Sequence, residues 1–130
     1  SDSSEAAGAP AGSYKFMDEF KVTIDKQGFC KSETGRLMGS TKSVLYGISV
    51  LVNQLHLPLE KVLPMSSLNA ANFYGFGTQK GSIALGKDAD LVVIDGEYKT
   101  IATYVEGRIV FDSRIEKEFF NQDYLTRYRA

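Results

Sequence analysis

A chain of 130 residues, with 15 basic and 16 acidic side chains, has room for one domain at most and carries a net charge of −1. This balance argues against nucleic acid as a partner, because binding to a phosphate backbone needs an excess of clustered Lys and Arg. The single histidine, His56, excludes a zinc site built from several imidazoles, and the single cysteine, Cys30, excludes a disulfide within the chain.

The longest apolar stretch, residues 44–52, is interrupted by Tyr46, Gly47 and Ser49 and falls far short of the roughly 20 apolar residues that span a bilayer. The chain opens on serine and has neither an initiator methionine nor the basic and apolar regions of a signal peptide, which indicates an internal beginning. We therefore expect no membrane partner and a cytoplasmic location.

The first 13 residues are small and polar, with glycines and a proline that break regular structure, and they predict a loop. A β-hairpin is predicted next, because Phe20, Val22 and Ile24 alternate with polar residues and a turn at 25–28 follows. Cys30 lies in the returning strand of this hairpin, where we expect a semi-buried structural thiol.

A helix is predicted from Val44, because apolar residues recur at i, i+4, i+7, i+8 and i+11 on one face. Ser40 or Thr41 is its expected N-cap. Further apolar residues off this face predict that other elements cover the helix on more than one side. His56 follows the end of the apolar face, and a helix-cap or partly packed role is expected for it.

Two short helices are predicted after this helix. The first begins near Pro58 and is disturbed at Pro64, since proline is tolerated in a first helical turn and unfavourable in an interior. The second is capped by Ser66 or Ser67 and closed by Gly75.

The second half of the chain predicts β-structure followed by a helix. Residues 81–95 predict a strand, a tight turn around Gly86 and a second, buried strand. The expected later elements are strands 100–105 and 108–111, joined across Glu106-Gly107, and a helix over 113–129 with an aromatic stripe.

The segment 81–95, GSIALGKDADLVVID, resembles the point where chains of the amidohydrolase superfamily leave their barrel and complete a small β-sandwich. Two further segments, SDSSEAAG at 1–8 and GRLMGST at 35–41, resemble the C-terminal third of the N-acetylglucosamine-6-phosphate deacetylase family of that superfamily. The likeness extends over residues 1–112.

This resemblance implies an α+β chain that forms the C-terminal piece of a metal-dependent (β/α)₈ barrel, with its last strand and helix, followed by strands of the accompanying β-sandwich. The expected domains are the barrel part at 1–75, the sandwich strands at 76–112 and a helical tail at 113–130. The enzyme to which the chain would belong, called here the parent, removes the acetyl group from N-acetylglucosamine 6-phosphate.

The resemblance also assigns residues to this reaction. Asp2 matches the family's catalytic aspartate, which takes a proton from the attacking water and returns it to the leaving nitrogen, beside a divalent metal of the zinc or iron type. Leu37 and Met38 would line the pocket for the acetyl group. From the residues alone, Asp2 is a turn former or helix cap, and the segment around Leu37 is a plain helix entry.

We expect the 130-residue chain by itself to be inactive and to bind no metal, since the resemblance places the metal-binding His and Glu residues and most of the barrel outside it and leaves Asp2 as a possible contributor. It is expected to form a homo-oligomer or to associate with the rest of the parent. Two alternatives stay open: another amidohydrolase of the dihydroorotase or deaminase type, and a non-catalytic stand-alone interaction domain.

Overall fold

The computed structural model describes residues 3–16 and 20–115. The chain divides into two compact units, and in the described part the first unit comprises residues 3–43 and the second unit residues 44–115. Each unit contains its own three-stranded antiparallel sheet, and the helices belong to the second unit. The chain is therefore α+β, as expected from the sequence.

The first unit is built around strands β1 (Gly12–Phe16), β2 (Phe20–Ile24) and β3 (Cys30–Ser32), in that order across the sheet. Side chains alternate between the two faces of a strand. The register pairs Tyr14 with Val22 and Ile24 with Cys30, so every second residue of the strands contributes to one apolar face. The β2–β3 hairpin is confirmed. The buried core of this unit consists of Ala6, Tyr14, Phe16, Val22, Ile24 and Cys30.

The turn between β2 and β3 is held by the carboxylate of Asp25. It accepts hydrogen bonds from the backbone N–H groups of Gln27 at 3.1 Å and Phe29 at 2.8 Å, and from Lys31 Nζ at 2.9 Å. Gly28 has φ +88°, a left-handed conformation that glycine adopts without the clash of a Cβ atom. A local side chain therefore fixes this hairpin at the predicted position.

The segment before β1 is irregular, as the predicted loop requires. Residues 5–8 form a turn. The backbone of this segment is hydrogen-bonded to residues just before the first helix: the Ser4 N–H donates to Ser40 O at 2.9 Å, and the Gly8 N–H donates to Thr41 O at 3.1 Å. The loop ends at Gly12, where β1 begins.

The second unit begins with helices α1 (Val44–Asn53), α2 (Leu59–Ser66) and α3 (Leu68–Phe73). The three predicted helices are present, but the predicted N-cap of α1 is wrong. Because α1 begins at Val44, neither Ser40 nor Thr41 occupies its N-cap; the Thr41 hydroxyl donates to Gly28 O instead. Ser67, one of the two predicted residues, occupies the N-cap position of α3. Its hydroxyl, like that of Ser66, donates back to Leu63 O and makes no cap hydrogen bond.

Helix α1 is covered less than expected. Ile48 is its one buried residue, whereas Val44 and Tyr46 are about half exposed. After its last turn, His56 has a left-handed φ of +54°, and the Leu57 N–H donates to Leu51 O at 3.1 Å, so the backbone at His56 folds back onto the end of the helix. The cap role expected for His56 is thus a backbone role, and its side chain is exposed, not partly packed.

Helix α2 retains Pro64 within its length and ends two residues later, at Ser66. Val62 is the buried residue of this helix, which packs between α1 and α3. None of the helices in the described ranges is long and apolar enough to cross a membrane.

Strands β4 (Leu91–Ile94), β5 (Thr100–Val105) and β6 (Arg108–Asp112) form the second sheet in that order. The β5–β6 hairpin turns at Glu106 and Gly107, with φ +49° and +76°. Two successive left-handed residues are the requirement of a type I′ turn, whose twist matches that of paired strands. This hairpin confirms the prediction.

Two predictions about this half of the chain are wrong. Residues 81–85 form bends and a turn, not a strand, because no described strand lies beside them to complete their hydrogen bonds. Strand β4 is not buried: Val92 is 59% and Val93 43% exposed, since no described helix packs on this sheet.

After β6, residues 113–115 form a turn held by Asp112. Its carboxylate pairs with the Arg114 guanidinium through two oxygens and also accepts the Arg114 backbone N–H at 2.9 Å. The remainder of the helix predicted over 113–129 lies outside the described residues.

Candidate functional site

An open groove of about 610 Å³ lies in the first unit. Its volume falls within the range of small-molecule sites. The groove combines buried apolar residues of the first sheet with two segments that flank it, residues 3–6 and 36–39. Four of its lining residues belong to the unit's core: Ala6, Phe16, Val22 and Cys30.

Backbone hydrogen bonds bring the two flanking segments together. On one side, the Met38 N–H donates to Cys30 O at 2.9 Å, and Leu37 pairs with Lys31 in an antiparallel bridge, so that this segment extends the edge of β3. On the other side, Ser3 pairs with Ser40 in a parallel bridge. Residues 37–40 therefore connect the sheet to the segment that follows Asp2.

The structure places both predicted pocket residues in this groove. Leu37 is 61% exposed and Met38 is partly buried against the core. The segment leads into a bridge with Ser3 and then into three further residues before α1, so it is not part of the helix entry itself. Their contact with an acetyl group stays a prediction.

Asp2 lies outside the described residues, and its predicted role is therefore untested by these coordinates. The three residues that follow it, Ser3, Ser4 and Glu5, all line the groove. The Ser4 hydroxyl is buried and has no hydrogen-bond partner in the part of the chain that the structure describes. A buried hydroxyl without a partner is uncommon in folded proteins.

Sequence reasoning missed several groove residues. Cys30 is 1% exposed and lines the groove, whereas it was expected to be semi-buried with a purely structural role. Arg36 and Phe20 also line the groove, and neither was singled out. For Cys30 a signal existed: it lies opposite Ile24 in the hairpin register, on the face that carries the core.

Some charged side chains of the first unit form ion pairs within it, and others line the groove. Lys31 pairs with Asp25 at 2.9 Å, and this hydrogen bond, with that of the Phe29 N–H, holds the pKa of Asp25 below its usual range. Among the described lining residues of the groove, the charged side chains are Glu5 and Arg36.

The described residues do not fit a metal centre. Over ranges 3–16 and 20–115, no three His, Cys, Asp or Glu side chains come together in the way that a bound metal requires. His56 is exposed at the end of α1, in the second unit.

The model of the amidohydrolase family matches residues 18–121 of the chain. The chain belongs to the amidohydrolase family. Enzymes of this family are generally metal-dependent hydrolases. The match covers the segment around Gly86 and β4, on which the resemblance to this superfamily rests, and that resemblance is confirmed.

Within the amidohydrolases, this chain is similar to N-acetylglucosamine-6-phosphate deacetylases. It is 35% identical to the one from Vibrio furnissii over 112 residues, which are 86% of this chain and 28% of the relative. The crystal structure of the deacetylase from Thermotoga maritima superposes with a TM-score of 0.75 at 29% identity, covering 87% of this chain and 30% of that one. The chain thus spans less than a third of the length of these proteins.

A further structure broadens the comparison. The β-aspartyl dipeptidase from Fervidobacterium islandicum, solved with a β-Asp-Leu dipeptide, superposes on this amidohydrolase chain with a TM-score of 0.55 at 28% identity. The superposition covers 75% of this chain and 26% of the dipeptidase. The fold of the chain is therefore similar both to that of N-acetylglucosamine-6-phosphate deacetylases and to that of a β-aspartyl dipeptidase.

Proposed function

We propose that this chain is the C-terminal part of an N-acetylglucosamine-6-phosphate deacetylase. It would supply the last strand and helix of a (β/α)₈ barrel within residues 1–75, sandwich strands within 76–112 and a tail at 113–130. The complete protein would hydrolyse N-acetylglucosamine 6-phosphate to glucosamine 6-phosphate and acetate. The observation that carries the proposal is the likeness to a deacetylase over 86% of the chain.

In this proposal Asp2 is the catalytic carboxylate. It accepts a proton from the water that attacks the amide carbon and delivers that proton to the departing nitrogen, which leaves as an amine. Its support in the structure is indirect: the three residues after it line the groove. A divalent metal of the zinc or iron type would be held by residues other than the described ones, with Asp2 as the chain's one contributor.

Leu37 and Met38 are proposed to contact the methyl end of the acetyl group. Both are apolar, both line the groove, and Met38 is fixed to β3 through its backbone N–H. An apolar wall favours a methyl group over water because it removes apolar surface from solvent. This assignment makes the groove the acyl end of the substrate site.

The test uses the complete protein and measures release of acetate from N-acetylglucosamine 6-phosphate. Asp2→Asn keeps the size of the side chain and removes its basicity, so kcat is expected to fall by about 10²- to 10⁴-fold. Glu97→Gln is the matched control, because Glu97 is an exposed carboxylate on the β4–β5 turn of the second unit. Equal activity of the two variants would remove Asp2 from the reaction.

The 130-residue chain alone is proposed to be inactive and to form homo-oligomers or to bind the rest of the parent. Acetate release by the purified chain with added zinc or iron would contradict the first part. A monomer in light scattering, unchanged on adding the remainder of the parent, would contradict the second. We propose a cytoplasmic location, in keeping with an unpaired, buried Cys30.

A second candidate is an amidohydrolase that acts on another C–N bond. The likeness to a β-aspartyl dipeptidase favours this alternative over a stand-alone interaction domain. Hydrolysis of β-Asp-Leu by the complete protein, without release of acetate from the sugar phosphate, would select it. Inactivity of the complete protein on all amides and cyclic amides tried would instead favour a non-catalytic domain.

A further inference from the structure

Residues 74–90 connect α3 to β4, and no described helix packs on the second sheet. The contacts of this connecting segment therefore determine how the sheet is held relative to the helices. Its first part is bound to the end of α3: the Phe76 N–H donates to Ala71 O at 2.7 Å, and the Lys80 N–H donates to Phe76 O at 2.8 Å. The backbone of Lys80 is thus fixed on the helix side.

Two glycines bring this first part into direct contact with α3. A Cβ atom on Gly81 would lie 2.9 Å from the Cα atom of Leu68, and a Cβ atom on Gly77 would lie 1.8 Å from Asn72 Oδ1. Because glycine has no Cβ atom, the backbone approaches the helix this closely at both positions. Residues 76–81 therefore form one piece with α3.

The last part of the connecting segment is bound to the sheet. Ala89 O accepts the Gly107 N–H at 3.0 Å, and Asp90 Oδ1 accepts the Glu106 N–H at 2.8 Å. Glu106 and Gly107 form the turn between β5 and β6, and Asp90 directly precedes β4. The carboxylate of Asp90 is therefore held in place by the neighbouring hairpin.

Lys80 bridges these two parts. Its Nζ atom lies 2.5 Å from Asp90 Oδ2 and 2.8 Å from Asp88 Oδ2. Hydrogen bonds to Asp88 and Asp90 raise the pKa of Lys80, so the ammonium keeps its charge well above neutral pH. An isolated exposed ion pair contributes little, whereas charges joined in a network are more effective. Here one cation binds two carboxylates, and a backbone N–H holds one of them.

We propose that Lys80 is a latch that sets the orientation of the second sheet relative to α3 by binding Asp90 across the connecting segment. This conformational device does not depend on the proposed function. Loss of the charge at Lys80 releases β4–β6 as a unit, because the backbone pairing of β4 with β5 and of β5 with β6 does not involve Lys80. The arrangement of the sheet then changes, and its secondary structure does not.

The test measures the distance between α3 and the sheet in the 130-residue chain by pulsed electron paramagnetic resonance. Spin labels are attached at Phe73→Cys on α3 and Val110→Cys on β6, which are exposed positions, whereas Cys30 is buried and stays unlabelled. An excess of unlabelled chain removes distances between molecules. Lys80→Met is expected to broaden the distance distribution about twofold or more, because the released sheet samples several orientations. Lys80→Arg keeps the charge and is expected to leave the distribution narrow.

The matched control is Lys99→Met, since Lys99 is also ion-paired, with Glu97 at 3.6 Å, but within the β4–β5 turn. It is expected to leave the distribution unchanged. Equal widths for Lys80→Met and Lys99→Met would overturn the inference, and so would a broad distribution in the chain with Lys80 intact.

A second variant, Asp90→Asn, separates the latch from a folding defect. Its amide oxygen can still accept the Glu106 N–H, whereas a neutral amide forms no ion pair with Lys80. We expect the same broadening as for Lys80→Met, with the circular dichroism of both variants unchanged. A narrow distribution in Asp90→Asn would overturn the latch. Loss of the strand signal in both variants would also overturn it, because Lys80 would then hold the sheet together and not orient it.

Discussion

The two sheets of this chain have the same size and antiparallel order, yet they differ in how they bury their residues. In the first unit, β1–β3 place an alternating set of side chains in a core where Val22 is 4% exposed. In the second unit, β4–β6 leave apolar side chains at the surface, including Val92, Val93, Ile109 and Val110. Residues of one polypeptide therefore form strands in both units, although only the strands of the first unit are buried.

The difference follows from what packs against each sheet. The first sheet is covered on one face by Ala6 and partly by Ala9 and Met38, which come from the loops on either side of it in sequence. The second sheet has no described helix on either face, although three helices precede it. An apolar strand surface is stabilising only when another element removes it from water.

A valine pair tests this contrast directly. In the 130-residue chain, Val22→Ala is expected to lower the free energy of unfolding by about 2 kcal/mol, because it removes two buried carbon groups and leaves a cavity. Val92→Ala, the same change at an exposed position of β4, is expected to alter it by less than about 0.5 kcal/mol. Urea unfolding of both variants measures the difference, and equal losses would show that β4 is covered after all.

The turns of the two units permit a second, smaller test. Asp25 and Asp95 hold equivalent turns, each accepting backbone N–H groups two and four residues later. Gly28 occupies the left-handed position of the first turn and Tyr98, with φ +61°, that of the second.

Gly28→Ala is expected to cost about 1–2 kcal/mol, because a Cβ atom is unfavourable at φ +88°. It would also lie 3.1 Å from Lys42 Cε. Tyr98→Gly is expected to leave stability within about 0.5 kcal/mol, since relief of the same strain offsets the larger backbone entropy of unfolded glycine. Thermal unfolding compares them, and a larger loss for Tyr98→Gly would contradict this account.

The smallest expected effect is on the stability of the fold at acidic pH. The Lys31 ammonium lowers the pKa of Asp25 in the first unit, and the Arg114 guanidinium lowers the pKa of Asp112 to about 2 in the second. A carboxyl whose pKa is lower in the folded protein than its ordinary value of 3.8 stabilises the fold fully at a pH above 3.8. This stability is lost as the pH falls through the folded pKa. Stability from Asp112 is therefore expected to disappear between about pH 4 and pH 2.

Carboxyl NMR titration measures both groups in one sample. Asp112, whose side chain is 8% exposed and bound by a bidentate Arg114, is expected to hold its charge to about pH 2. Asp112→Asn should remove the corresponding acid-dependent change in thermal stability and leave the titration of Asp25 unchanged. Titration of Asp112 near pH 4 would show that the Arg114 pair does not form in solution.

Local patterns predicted most of the regular structure. The alternation of Phe20, Val22 and Ile24 identified the first hairpin, and Glu106-Gly107 identified the second, because turn conformation and side-chain alternation depend on near neighbours. The predicted cap of α1 failed because Ser40 and Thr41 have distant partners. Ser40 pairs with Ser3, and the Thr41 hydroxyl binds Gly28 O, and neither distant partner can be read from the helix sequence.

The candidate site shows the same division. Leu37 and Met38 were predicted as pocket residues through a family resemblance, and the structure places them in the groove. Arg36 was missed, because the sequence does not reveal which cations are already paired. In the sequence, Lys31 and Arg36 are two nearby basic residues. The structure distinguishes them, because Lys31 forms an ion pair with Asp25.

One ammonium group organises the loop between α3 and β4. Lys87 Nζ donates to the carbonyl oxygens of Gly77 and Lys80 and to Ser82 Oγ, and so holds three points of a segment that lacks strands and helices. Ile83 and Leu85, the large aliphatic residues of this loop, are almost fully exposed. We therefore expect tolerance to substitution along this loop to run opposite to hydrophobicity: exchange of the aliphatic residues should cost little, and exchange of the lysine should disorder the loop.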